Sequence, residues 1–182
     1  IHQQSSFLRE NLGELIFPES FSLKQYPHRK RSLFSSPFDD EGVRTREQAF
    51  LQEGRFHQFI CDSYAARRLG TAVTGNAGGL FNVCLEAPTV SLEELVKQMH
   101  SGLIVTDVMG QGVNMVNGDY SKGASGFWVE NGSIQYPVEK VTIASNLRAM
   151  FASIVAAGND IDDRGNLHLG SILVEGMTVS GN

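Results

Sequence analysis

Apolar and polar positions change period several times along the chain. Phe7, Leu8, Leu12 and Leu15 recur at helical spacing, and Ser5 or Ser6 before them can cap a short helix that Pro18 stops. Residues 20–50 alternate only weakly and are broken by Pro27, Pro37 and an acidic turn at Asp39, Asp40, Glu41 and Gly42. Two runs, Gln48 to Leu51 and Phe56 to Ile60, flank a turn in which Gly54 supplies a positive-φ position, a hairpin pattern. Ser63 to Leu69 predicts a short helix with Gly70 just past its end. Thr71 to Leu80 is too rich in glycine for a helix interior and reads as an irregular loop, followed by a strand from Phe81 to Leu85.

Ser91 and Glu94 form a capping box, each side chain placed to reach the other's backbone amide. Leu92, Leu95, Val96 and Met99 give this helix one apolar face, with Gly102 as its stop. Leu103 to Met109 then reads as a strand leading into Gly110, Gln111 and Gly112, with a turn region beyond. The next hairpin pairs Ala124–Glu130 with Ser133–Tyr136 around Asn131-Gly132, a dipeptide suited to a two-residue type I′ turn; Pro137 ends the second strand or sits at its edge. Ser145 can cap a helix to about Ala157 that buries Leu147, Met150, Phe151, Ile154 and Val155 before Gly158, and short strands are expected at Ser171–Val174 and Met177–Val179. Hairpins with few helices imply an α+β class: an antiparallel β-rich domain with three or four short helices, without the βαβ repetition of a parallel fold. The chain shows no fixed-period repeat and no linker-like tract, so residues 1–182 read as a single domain.

Composition narrows the function. Fifteen Lys and Arg face 20 Asp and Glu, a net charge of −5, which argues against electrostatic binding of nucleic acid. Apolar runs are too short to span a membrane. Two cysteines, Cys61 and Cys84, make no disulfide framework, so a reducing, cytoplasmic setting is expected. The chain opens on Ile1 with no charged or apolar leader, and reads as a cut inside a longer protein.

Candidate chemistry is sparse. The five histidines are scattered, with no i, i+4 pair to set two metal ligands on one helical face. Cys61 lies beside Asp62 and Cys84 in an apolar strand, and nothing in the sequence places a histidine near either to activate it. The acidic turn at Asp39 lacks the alternation of a calcium loop and reads as solvated, as does the basic cluster at His28, Arg29, Lys30 and Arg31. The glycine stretches match neither the dinucleotide fingerprint nor the P-loop. Glycine lets an extended peptide approach a backbone closely, which makes Asn76, Gly78, Gly79, Gly110, Gly112, Asn114, Asp119 and Tyr120 the candidates for peptide binding. No catalytic residue and no metal ligand is assigned.

The string from Gly102 to Val138 (GLIVTDVMGQGVNMVNGDYSKGASGFWVENGSIQYPV) resembles the C-terminal domain of the TldD/PmbA family, more narrowly its PmbA (TldE) branch. Supporting segments are Pro37–Val43 (PFDDEGV), Asp62–Gly70 (DSYAARRLG), Thr74–Gly79 (TGNAGG) and Val155–Asp160 (VAAGND). The resemblance implies that the N-terminal domain is absent from this chain. It also implies one subunit of a heteromeric peptidase associated with degradation of small or unfolded peptides and with maturation of microcin peptides. In that family the TldD partner binds zinc through a His-Glu-x-x-x-His helix and a later cysteine. No such helix motif occurs between residues 1 and 182, and Leu169 stands about where the later cysteine would fall. The adjacent His168 would point to the opposite face if the segment is extended. The resemblance thus implies a subunit without a cofactor of its own, with zinc in a TldD-like catalytic partner and with peptides as substrates. Exposed strand edges would also allow a homodimer of the isolated domain. Two alternatives stand beside it: a non-proteolytic regulator of DNA gyrase or of a toxin–antitoxin system, and a self-sufficient metallopeptidase whose ligands lie upstream.

Overall fold

A computed structural model describes residues 6–181 of the chain. In chain order its elements are β1 (Ser22–Gln25), β2 (Gln48–Gln52), β3 (Arg55–Phe56), α1 (Ser63–Leu69), β4 (Val83–Glu86), β5 (Thr89–Val90), α2 (Leu92–Met99) and β6 (Gly102–Met109). There follow β7 (Asp119–Glu130), β8 (Ser133–Asn146), α3 (Leu147–Ala152), β9 (Ile154–Gly158), β10 (Leu167–His168), β11 (Ile172–Val174) and β12 (Thr178–Ser180). The fold is α+β with mostly antiparallel sheets and three helices among the described residues.

Two compact units divide the chain: residues 1–88 with 161–170, and residues 89–160 with 171–182. Because the chain leaves the first unit and returns to it, neither unit is a continuous stretch.

The first unit holds a five-stranded sheet in the order β10-β4-β1-β2-β3. All its pairs are antiparallel except β10 with β4, where His168 lies opposite Cys84. Ile16, Phe21, Phe50, Leu51, Cys61 and Val83 are buried in this unit, together with an uncommon share of polar side chains: Gln25, Asp39, Thr45, Asn76 and Asn82. Its helix α1 is bounded by Asp62, whose side chain accepts from the Ala65 amide at 2.7 Å, and by Gly70 at φ 66°.

The second unit carries a three-stranded sheet, β11-β9-β5, and a four-stranded one, β12-β8-β7-β6. Ala124, Val141 and Ile143 form its buried centre, with Leu103, Tyr120, Val138 and Met177 packed against them. The Asn131-Gly132 turn has positive φ at both residues, as a type I′ turn requires, and joins Glu130 to Ser133. Gly126 allows β6 and β7 to approach: a Cβ there would collide with the Ile104 carbonyl oxygen. The capping box at Ser91 and Glu94 is present as expected, but α2 ends at His100, and Gly102 begins the next strand.

Two local expectations are corrected. No helix forms among the described residues before Leu15: Arg9 to Ser6, Asn11 to Leu8 and Glu14 to Asn11 are separate i→i−3 turns. Ser5 lies outside the described residues, and Leu12 and Leu15 are exposed, so the apolar positions never gather on one buried face. The segment is instead tied to β3 through Leu15 and Arg55. The expected helix from Ser145 to Ala157 is only α3, capped by Asn146, because Ser145 still belongs to β8 and Ile154–Gly158 pairs as a strand with β11 and β5. Of its two expected places Pro137 takes the edge: it pairs with Phe127 on a stretch whose other side has no partner strand among the described residues, where a missing N–H costs no ladder bond.

Candidate functional site

The glycine loop of the first unit is anchored by polar side chains that its sequence does not advertise. Asp39 is nearly fully buried, and its carboxylate accepts the backbone N–H groups of Glu41 and Val43 at Oδ1 and of Ala77 at Oδ2, all at 2.9–3.0 Å. Burial pushes the carboxyl pKa up, but the amides of Ala77, Val43 and Glu41 outweigh it and hold the group below its ordinary value. The acidic turn is therefore not simply solvated: its first carboxylate is an internal clamp. Thr74 accepts from the Cys61 amide at 2.9 Å and donates to the Cys61 carbonyl at 3.0 Å.

Of the candidate residues in this unit, Asn76 is turned inward. Its amide nitrogen donates to Gln25 Oε1 at 2.8 Å and to the Gly79 carbonyl at 3.0 Å, and its oxygen accepts from Gln48 Nε2 at 2.7 Å. Gly78 and Gly79 are exposed at the loop's tip. Fixing Asn76 holds the backbone beneath them; the Asp40 carboxylate packs against Gly78, and Gly79 has open space around it.

The second group lies in the other unit. Gly110 and Gly112 are exposed after β6, and Lys122 donates to the Gly110 carbonyl. Gly112 has a local reason to be glycine: a Cβ there would collide with the Ser121 carbonyl oxygen. Asn114 is exposed, with its side chain accepting from the Val116 amide at 2.9 Å. Asp119 accepts from Asn117 at 2.7 Å and from Asn146 at 3.3 Å, which locks the turn into α3. Tyr120 packs against Ala124, Val141 and Ile143. The structure therefore gathers Gly110, Gly112, Asn114, Asp119 and Tyr120 in one unit and Asn76, Gly78 and Gly79 in the other. Within each group the glycines and Asn114 face outward, and Asn76 and Tyr120 serve the interior.

Zinc does not fit the described residues. No three of His, Cys, Asp and Glu come together to hold a metal among them. Leu169, half-exposed in an extended segment, offers no donor atom, and its neighbour His168 is buried on the opposite side beside Cys84. Burial pushes both thiols up: Asp62 adds to the effect at Cys61, and Arg29 partly offsets it at Cys84. Neither cysteine has the depressed pKa of a nucleophile.

The fold and these segments belong to one class, a metallopeptidase-related C-terminal domain. The chain matches the family model described as the PmbA/TldA metallopeptidase C-terminal domain over residues 1–181, and it belongs to that family. It is 46% identical over 181 residues to metalloprotease PmbA of Escherichia coli O157:H7, covering all of this chain and 40% of that protein. It is 48% identical over 183 residues to a PmbA homolog of Haemophilus influenzae, covering 100% of this chain and 41% of that one. Among solved structures, a Bacteroides thetaiotaomicron protein named as a proposed modulator of DNA gyrase superposes with a TM-score of 0.92 at 30% identity, over 100% of this chain and 41% of its own. TldE of Thermococcus kodakarensis superposes with a TM-score of 0.84 at 27% identity, over 98% of this chain and 44% of its own. The chain spans about two-fifths of the length of these curated relatives. No described helix is long and apolar enough to cross a membrane.

Proposed function

We propose that this chain is the C-terminal domain of a TldE-like subunit without zinc, which holds a TldD-like catalytic partner and presents extended backbone to peptide substrates in proteolysis or peptide maturation. Leu169 carries the reading: an aliphatic side chain occupies the extended segment where the family resemblance calls for a thiolate, and the neighbouring imidazole faces away. A subunit of this kind cannot activate water through its own metal. It can shape the peptide path, and the exposed glycines at 78, 79, 110 and 112 suit close backbone approach.

Metal analysis of the purified chain, combined with peptide cleavage measured with and without a TldD-like partner, tests this. The expected result is zinc well below one per chain and cleavage only when the partner is present. Stoichiometric zinc together with cleavage by this chain alone overturns it. Binding to gyrase with no effect on peptide turnover would instead favour the regulatory reading that the name of the Bacteroides relative carries.

A further inference from the structure

The basic cluster at His28–Arg31 has no role in the reading above, yet two cavities open on it. One, of about 520 Å³, is lined by His28, Val43, Arg44, Thr45, Arg46 and Glu47. The other, of about 370 Å³, is lined by Tyr26, His28, Arg29, Glu47 and Cys84. They share His28 and Glu47 and so adjoin as a shallow trough within the first unit. Arg29, Arg44 and Arg46 line it with Glu47, while Glu86 beside the second cavity is taken up by the Lys24 ammonium and the Tyr26 hydroxyl, on a chain whose net charge is −5. The local sign is the reverse of the global one.

Several of these groups are held in place. Arg46 donates to the Val73 carbonyl at 2.9 Å, and His28 Nε2 lies 3.0 Å from Thr45 Oγ1. Arg44 makes no ion pair among the described residues. Thr45 is fully buried between the exposed Arg44 and Arg46, and both arginines line the first cavity. Residues 44–46 lie ahead of β2, outside any strand, and residues two apart on extended backbone are at most about 6.6 Å apart along it, the spacing of alternate side chains on an extended ligand. Arginine forks pair with carboxylates in bidentate geometry.

We propose that this trough binds an acidic peptide segment in extended form, with carboxylates at alternate positions on Arg44 and Arg46 and a further one at Arg29. A trough built from two adjoining cavities takes several residues of chain rather than one small anion. This deepens the peptide-handling half of the function proposed above and rests on it.

The test is fluorescence anisotropy of the full chain with a labelled peptide alternating Ser and Glu, its Ser/Gln counterpart, and inorganic phosphate as competitor. The expected result is binding of the Glu peptide at least about tenfold tighter than the Gln peptide, weakening between roughly 0.02 M and 0.3 M salt. Arg44→Gln combined with Arg46→Gln should lower that affinity about tenfold in the folded protein, and Arg68→Gln on α1 should not. If the double variant fails to fold, Arg44→Gln alone carries the test, because that side chain has no ion pair to lose. Equal binding of the two peptides, or unchanged binding by the folded variants, overturns this proposal and leaves the peptide reading standing. Binding of neither peptide overturns both. Full competition by millimolar phosphate overturns the peptide as occupant and leaves a simple anion site.

Discussion

Asp39 shows how much one side chain can hold. Three backbone N–H groups converge on its buried carboxylate, and one of them comes from the glycine loop 38 positions away. Asp39→Ala leaves those donors unpaired in the interior, and a loss of about 3 kcal/mol is expected in urea unfolding. The same carboxyl is held below its ordinary value, so its stabilisation is present above the unfolded pKa and is lost as pH falls through the lower folded value. The acid limb of stability against pH should therefore be steeper in the parent than in Asp39→Asn; superimposable limbs would refute the assignment. Tyr26 has the opposite sign. Its hydrogen bond to Glu86, burial, and the Glu86 charge raise its pKa to about 12. The neutral phenol's contribution is complete below the unfolded value near 10 and disappears as pH rises through about 12. Tyr26→Phe should flatten stability across that alkaline window, as followed by tyrosine absorbance and circular dichroism. None of this was visible beforehand. Asp39 sat in what read as a solvated turn, and only the Asp-x-x-Gly pattern hinted that its side chain would bond nearby amides.

Among the elements, those with their start and stop signals a few residues apart were legible. The α2 capping box, the Gly70 end of α1 and the Asn131-Gly132 turn all stand as expected. Ser91 accepts from the Glu94 amide at 3.2 Å while Glu94 accepts from the Ser91 amide at 2.9 Å. Ser91→Ala should cost about 1 kcal/mol, read as a lower denaturant midpoint with an unchanged slope. Where an element depends on its partner strands, local periodicity misled. Leu147, Met150, Phe151, Ile154 and Val155 fit a helical stripe, but β11 and β5 claim the second half of that run as a strand. The turns before Leu15 failed for a related reason: β3 binds the segment before a helix can bury one face.

For the molecule as a whole, the resemblance carried by residues 102–138 reached the family, and the match over residues 1–181 bears it out. The α+β class was legible from the hairpins and the scarcity of helices. The division into two units was not: the return of residues 161–170 to the first unit rests on β10 pairing with β4, more than 80 positions away along the chain. The basic cluster at His28–Arg31 was legible as a run and read as solvated; that Arg44 and Arg46 line a cavity with His28 was not legible, because net charge sums over positions that folding then sorts. Local chemistry, being a matter of neighbours, was written in the order of residues: caps, tight turns, the absent thiol at position 169. Folding alone decided which distant groups meet. Gln25 reaches Asn76 across 51 positions and Asp39 reaches Ala77 across 38, and contacts closed over such loops leave no period in the chain from which to read them.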